Sequence, residues 1–411
     1  MIGRRGDAHR GQLLATVRLQ YPDTLAERGF RLLHPVTGDR YTGEQRHLVA
    51  TCRSVANFAM GAIADGPEWC LEAASHGLTA LRDLHHDPEN GGYHLVVDAD
   101  GTSHDETRSA YGHAFVLLAF ARAAQAGLAD ARDDLAVTHD LIEERFRDER
   151  GLLRSDCEPD WTVSEPYRGQ NANMHACEAY LAAYEATEDS LYLDPARHIA
   201  GELTVALAAE TDGLLWEHYT VDWDHDFAYN RDEPRHQFRP PGYQPGHHFE
   251  WAKLLGLLDR YETASGTGSS TTAPETNWYA RAVDLFEAAI DLGWTGEGFA
   301  YTVEADGDII VPDRYGWALA EGIGAAAVLA ERADARDDPD RAHRFGDWQQ
   351  RFLTLVDDYR GPAGLWYEKR LAEDDGSDPV PPSPPGVEPD YHPAGAFFES
   401  WRSAEEVTAS E

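Results

Sequence analysis

The chain has 411 residues, 42% of them hydrophobic and 10% aromatic, enough to bury a sizeable core, and it lacks the apolar run of about eighteen residues that a membrane span needs. With 73 acidic against 35 basic residues its formal net charge is −38, the wrong sign for a nucleic-acid partner. Only two of the basic residues are lysines, Lys253 and Lys369; an acidic, lysine-poor surface with this aromatic content excludes a disordered chain and suits a halophilic protein folded in concentrated salt, where screening removes self-repulsion.

The N-terminal stretch MIGRRGDAHRGQ carries charges without an apolar run or a small-residue cleavage site, so a cytoplasmic protein is expected. A helix near residues 9 to 20 comes first. Pairs of amphipathic helices then follow at the 3.6-residue period. LVATCRSVANFAMGAI pairs with PEWCLEAASHGLTALRDL, YGHAFVLLAFARAAQAG with DDLAVTHDLIEERF, and ANMHACEAYLAAYEAT with PARHIAGELTVALAA. Beyond them HHFEWAKLLGLLDRY pairs with WYARAVDLFEAAIDLGW, and YGWALAEGIGAAAVLAER with HRFGDWQQRFLTLVDDY. A last helix falls near residues 394 to 404. Cys52, Cys70, Cys157 and Cys177 are scattered without CxxC spacing and read as small core residues.

A glycine turn followed by apolar residues recurs at Gly29, Gly92, Gly151, Gly213, Gly298 and Gly364, at intervals of 63, 59, 62, 85 and 66 residues, which implies six similar units. The first and last helices would supply the sixth pair by closing the ends together. The expected fold is therefore all-α: an (α/α)6 barrel, a toroid of six helical hairpins, forming one catalytic domain over residues 1–411. Loop insertions are expected near 264–277 and at the proline-rich 373–390. An open solenoid is the competing architecture, but the terminal helices are not conspicuously polar caps. An exposed outer ring leaves room for a homodimer.

Polar side chains gather at the starts of alternate helices, where the repeat turns them toward one central cavity. RGQNANMHACEA supplies Arg168, Asn173, His175 and Glu178, and PGHHFEW supplies His247 and Glu250. RYGWALAEG contributes Trp317 and Glu321, TCRSVANF contributes Arg53, and YHP contributes Tyr391 and His392. Taken singly, each is an ordinary cap, core group or ion-pair partner. Jointly they suit binding and deprotonation of a polyhydroxylated substrate. No HExxH pattern or phosphate-binding glycine loop is present, so neither a metal nor a nucleotide cofactor is expected.

RGQNANMHACEA, RPPGYQPGHHFEWAKLL, RYGWALAEGI and PDYHPAG together resemble the N-acylglucosamine 2-epimerase superfamily, in particular its mannose isomerase and sulfoquinovose isomerase-like branch, over about Arg46 to Phe398. The resemblance implies the (α/α)6 barrel independently of the repeat. It also implies a catalytic pair, His247 and His392, with Arg53, Asn173, His175, Glu178, Arg239, Glu250, Trp317 and Glu321 around a monosaccharide. RYGWALAEG departs from the family's doubly aromatic, glutamine-containing form, and YHPAGAFF follows a proline-rich insertion.

The chemistry implied is cofactor-independent proton movement at carbon 2 of an open-chain aldose. His392 removes the proton to give a cis-enediol, and His247 handles ring opening and the second proton. Return to carbon 1 gives a ketose, as in mannose and fructose; return to carbon 2 from the other face gives the epimer. Glu250 is expected to orient His247, Glu178 to orient His175, and Arg53 with Arg239 to stabilise the enediolate. An aldose 2-epimerase and a sulfoquinovose isomerase are the neighbouring alternatives. An inverting glycosidase, built on two of the glutamates, and a non-catalytic binding protein are the more distant ones.

Overall fold

The computed structural model describes residues 2–265, 276–371, 379–381 and 390–410. Among the described residues lie twelve α-helices, and their order is that of a closed ring. The inner helices are α2 (Leu48–Ile63), α4 (Ala110–Gln125), α6 (Gln170–Thr187), α8 (Pro245–Ser265), α10 (Gly316–Asp334) and α12 (Tyr391–Ser410). Each packs against an outer partner: α3 (Trp69–Ala80), α5 (Ala131–Arg145), α7 (Ser190–Gly201), α9 (Trp278–Gly293), α11 (Pro339–Leu353) and, for α12, the N-terminal α1 (Ile2–Gln20). Inner helices touch their neighbours around the ring, and α12 meets α2, so the ends close as the leftover helices predicted. No described helix is long and apolar enough to cross a membrane.

Sequence dictates which helix goes where. The inner helix α2 is buried on every side over Leu48–Gly61, as an apolar-all-round helix must be. The outer helix α11 buries only Phe345, Gln349 and Phe352, one stripe at i, i+4 and i+7 with solvent on the rest. The four cysteines are free and buried.

The repeat glycines have a structural reason. Gly29, Gly92, Gly151, Gly213, Gly298 and Gly364 all have positive φ, between 69° and 142°, which only glycine adopts readily. Antiparallel bridges such as His86 to Tyr93, Arg147 to Leu153 and Arg360 to Trp366 span the turns. At Gly92 an added Cβ would also meet the Trp161 ring at 2.8 Å and His113 Nε2 at 2.9 Å.

Short strands stitch the hairpins together at one end. Arg108–Ser109, Arg168–Gly169 and Arg314–Tyr315 run directly into α4, α6 and α10, and pair antiparallel with Asp156–Cys157, His218–Tyr219 and Lys369–Arg370. The starts of α2 and α8 are tied in the same way, through Gln45–His47 with Val96–Asp98 and Tyr243 with Val303, so these five helix starts are each joined to the segment after the next outer helix. At the far end, buried arginines meet carboxylates: Arg122 with Glu185, Arg260 with Glu331, and Arg332 with Asp259. They lie near the C-terminal ends of α4, α8 and α10, where the helix dipole favours cations. The insertions expected at 264–277 and 373–390 lie largely outside the described residues.

Candidate active site

The inner-helix N-termini line a cavity of about 770 Å3, open to solvent. Arg53 comes from α2, Tyr111 from α4, Asn171 and His175 from α6, His247 and Glu250 from α8, Trp317 from α10 and His392 from α12. Gln237, Gln244, Tyr301, Tyr315, Trp366 and Glu368 are also in the wall.

His247 and His392 are built alike. His247 donates its Nδ1–H to Glu217, 2.9 Å from both carboxylate oxygens. Gln170 Nε2 lies 2.8 Å from the same nitrogen, but its amide is committed: Oε1 accepts from the Trp251 indole at 2.8 Å and Nε2 donates to Glu217 at 2.9 Å. The imidazole proton therefore sits toward the carboxylate and Nε2 is left as the lone-pair nitrogen. His392 donates Nδ1–H to Glu321 Oε1 at 2.8 Å, and its Nε2 faces Arg53 Nη2 at 3.3 Å. Trp317 stands beside both, its ring centroid 5.1 Å from that of His247 and 5.8 Å from that of His392.

Charge follows burial here. Burial, with Arg53, His175 and Lys253 nearby, holds His392 well below the usual imidazole value, so it is neutral at pH 7. Burial raises the Glu217 carboxyl, but His247 and Gln170 outweigh it and keep Glu217 below its ordinary value. Burial and the neighbouring Glu321 and Glu178 push Glu250 well above the carboxylate range. Among the described residues neither oxygen of Glu250 has a hydrogen-bond partner.

Several sequence expectations are placed differently. Asn173 does not face the cavity: its Oδ1 accepts from Leu153 N at 2.7 Å and its Nδ2 donates to Gly169 O at 3.0 Å. His113 and His248, each at the same fourth position of an inner helix, do the same work. His248 lies 2.8 Å from Gln244 O through Nδ1 and accepts from Leu215 N at 3.1 Å through Nε2. All three latch a glycine turn to a helix start, which explains the adjacent histidines of PGHHFEW: His247 faces the cavity and His248 holds the wall.

Arg239 lies in a neighbouring cleft, ion-paired to Glu165 at 2.6 Å and stacked over Tyr167 at 4.1 Å. It does not line the cavity that holds His247 and His392. Glu250 does not orient His247, a task that falls to Glu217; it lies 3.6 Å from His175 Nδ1 instead. Glu178 does hold His175, at 3.1 Å, and also accepts from Tyr391 at 2.7 Å, behind the cavity wall. Glu321 likewise stands behind His392. Arg53, His175, Glu250 and Trp317 line the cavity as expected.

Sequence reasoning missed Glu217, Glu368, Gln170 and Lys253. A signal existed for the first two: each stands four residues after a repeat glycine, in GLLWEHY and GLWYEKR, the segment that the strand pairing brings to the mouth. Ligand-type atoms of His175, Glu178 and Glu250, and of Glu250, Glu321 and His392, gather within 4.8 Å. The second group is engaged by Lys253 and Arg53, and in the first His175 is taken by Glu178.

The N-acylglucosamine 2-epimerase (GlcNAc 2-epimerase) family matches residues 29–396. The chain is 36% identical to a D-mannose isomerase of Marinomonas mediterranea over 93% of this chain and 94% of that one. It is 37% identical to a D-mannose isomerase of Thermobifida fusca over 83% and 79% of the two chains. A crystal structure of D-mannose isomerase superposes with a TM-score of 0.83 at 34% identity, covering 97% of each chain. The family match over most of the chain and relatives above 30% identity agree with the helical ring: the chain belongs to the N-acylglucosamine 2-epimerase family.

Proposed function

We propose that this protein is a cofactor-independent aldose–ketose isomerase that interconverts D-mannose and D-fructose, with the whole ring acting as one catalytic domain. The observation that carries the reading is the pair of carboxylate-backed imidazoles, His247 and His392, on either side of Trp317 in one cavity. The relatives named D-mannose isomerase support the choice of sugar.

The reaction runs on the open-chain sugar, whose own carbonyl acidifies the proton at carbon 2. His392 is neutral and takes that proton on Nε2, leaving a cis-enediolate with its charge on the carbonyl oxygen. Arg53, held between Phe115 and Tyr391 at 4.8 and 5.0 Å, is the cation beside that oxygen. The N-termini of the inner helices add favourable dipoles. His247 moves the proton needed for ring opening and for the hydroxyl exchange between carbons 1 and 2. Delivery of the carbon-bound proton to carbon 1 completes the ketose. Glu178 acts through His175 and Tyr391, and Glu250 binds a sugar hydroxyl.

A second reading, 2-epimerisation, is favoured by one feature: the two imidazoles come from different helices, α8 and α12, so a proton can return to carbon 2 from the other side. The acidic, lysine-poor chain suits work in a salt-rich cytoplasm. Incubation with mannose, fructose, glucose and N-acetylmannosamine, followed by NMR, tests the reading. Mannose and fructose are expected to interconvert; formation of carbon-2 epimers alone would replace isomerase by epimerase.

A further inference from the structure

Lys253 stands where a cation is hardest to keep. It is buried in the middle of α8 and is one of only two lysines among 35 basic residues. Its ammonium donates to Glu321 Oε2 at 2.5 Å, while the other oxygen of that carboxylate accepts from His392 Nδ1 at 2.8 Å. A single carboxylate thus joins a buried lysine to a catalytic imidazole. The other imidazole is different: behind Glu217 stands the neutral amide of Gln170.

Several charges bear on Glu321. Glu250 shares α8 with Lys253, Glu178 and His175 come from α6, His392 from α12, and Arg53 from α2. Burial and Glu178 raise the Glu321 carboxyl, with Lys253 opposing. A carboxyl that gains a proton becomes a donor. A protonated Glu321 would donate to His392 Nδ1, move the imidazole proton to Nε2, and remove the lone pair from the cavity.

We propose that Lys253 is a positioning residue: it keeps Glu321 an acceptor, and so fixes His392 with its proton on Nδ1 and its lone pair on Nε2 toward the sugar. The proposal rests on proton transfer by His392. Lys253 thus adds to the Arg53 N–H that faces His392 Nε2 at 3.3 Å a second determinant of the base tautomer, in a residue hydrogen-bonded to Glu321 and not to the imidazole.

The test is Lys253→Met, with Lys253→Gln and Lys253→Arg beside it. At pH 7 the Met variant is expected to lose roughly tenfold or more in kcat with KM little changed. It should recover by about tenfold per pH unit as rising pH ionises Glu321, a limb that lies at lower pH in the parent protein, where Lys253 opposes the effect of burial. Gln, which keeps a hydrogen bond but no charge, should behave as Met does, and Arg should restore part of the rate. If Met prevents folding, Gln carries the same test. Nitrogen NMR of histidine-labelled protein without sugar should show His392 protonated on Nδ1 in the parent and on Nε2 in the neutral variants. A folded Met or Gln variant with parental kcat, pH profile and tautomer would overturn the proposal. If the parent protein turns over no sugar, the function reading fails, and the tautomer still decides the role of Lys253.

Discussion

His247 owes its chemistry to a side chain outside its own helix. Glu217 fixes the imidazole through Nδ1, and the Gln170 amide, itself held by Trp251, donates to the same carboxylate. Glu217→Gln would present an amide N–H to Nδ1 and favour the wrong tautomer. We expect kcat to fall by roughly a hundredfold or more, the range of general acid–base contributions, with KM and the unfolding midpoint little changed. Steady-state kinetics with mannose check this, and an unaltered kcat would contradict it. Single residues were legible in the sequence where their type was unusual for the place, as with His247, Arg53 and Trp317. They were illegible where one side chain type serves two roles. Asn173 and His248 have the residue types of a site, yet both spend their polar atoms on backbone groups of a glycine turn. Periodicity reports the face of a helix and says nothing about which backbone group faces it.

Helix starts are the working elements. Gly246, in the first turn of α8, lets α8 approach α10: a Cβ there would lie 2.4 Å from the Trp317 ring and 2.9 Å from Ala318 Cβ. The rigid indole cannot yield without turning away from His247 and His392. Gly246→Ala is expected to cost about 1–3 kcal/mol of stability, the usual price of overpacking, and to raise KM for the sugar. Urea unfolding and kinetics measure both, and a folded variant with parental KM would contradict the placement of Trp317. The twelve helices and their pairing were readable because apolar periodicity and left-handed glycines recur together. The strands at the mouth were not, since two-residue strands are set by backbone pairing to a distant segment. That pairing carries Glu217 and Glu368 to the site, so their roles stayed hidden with it.

Across the whole molecule, the closed ring buries many titratable groups, and this sets its response to acid. Burial holds His47, His85, His113 and His248 to about 4, whereas the unfolded chain protonates near about 6.5. Above the unfolded value these four make no difference. As pH falls from there toward about 4, the unfolded state binds protons the folded state refuses, and stability is lost. Asp156, Glu250, Glu321 and Glu368, held up by burial, work the other way, but they are outnumbered once His94, His175, His218, His225 and His392, also lowered by burial, are added to the four. Further down, Asp87 and Glu185 add to the loss: each is held to about 2, burial being outweighed by hydrogen-bond donors and by Arg108 for the first and by Arg402 and Arg122 for the second. The thermal midpoint, followed by circular dichroism, should fall steadily from pH 7 to pH 4.5; a flat or rising midpoint would contradict the neutral buried imidazoles. Ring closure itself was legible in the unpaired terminal helices. The ion pairs at the far end were not, because arginines scattered through inner helices look alike until the ring brings their partners together.

Two imidazoles share the reaction: His392 moves the carbon-bound proton from carbon 2 to carbon 1, and His247 moves the hydroxyl protons. The most direct measurement is to convert mannose in deuterated water with the parent protein and with folded His247→Ala and His392→Ala variants, reading products and label by NMR. The account predicts fructose from the parent, carrying deuterium at carbon 1 wherever the abstracted proton exchanges with solvent, and loss of most turnover in each variant. Near-parental turnover in either folded variant, or mannose returned only as its carbon-2 epimer, would contradict it.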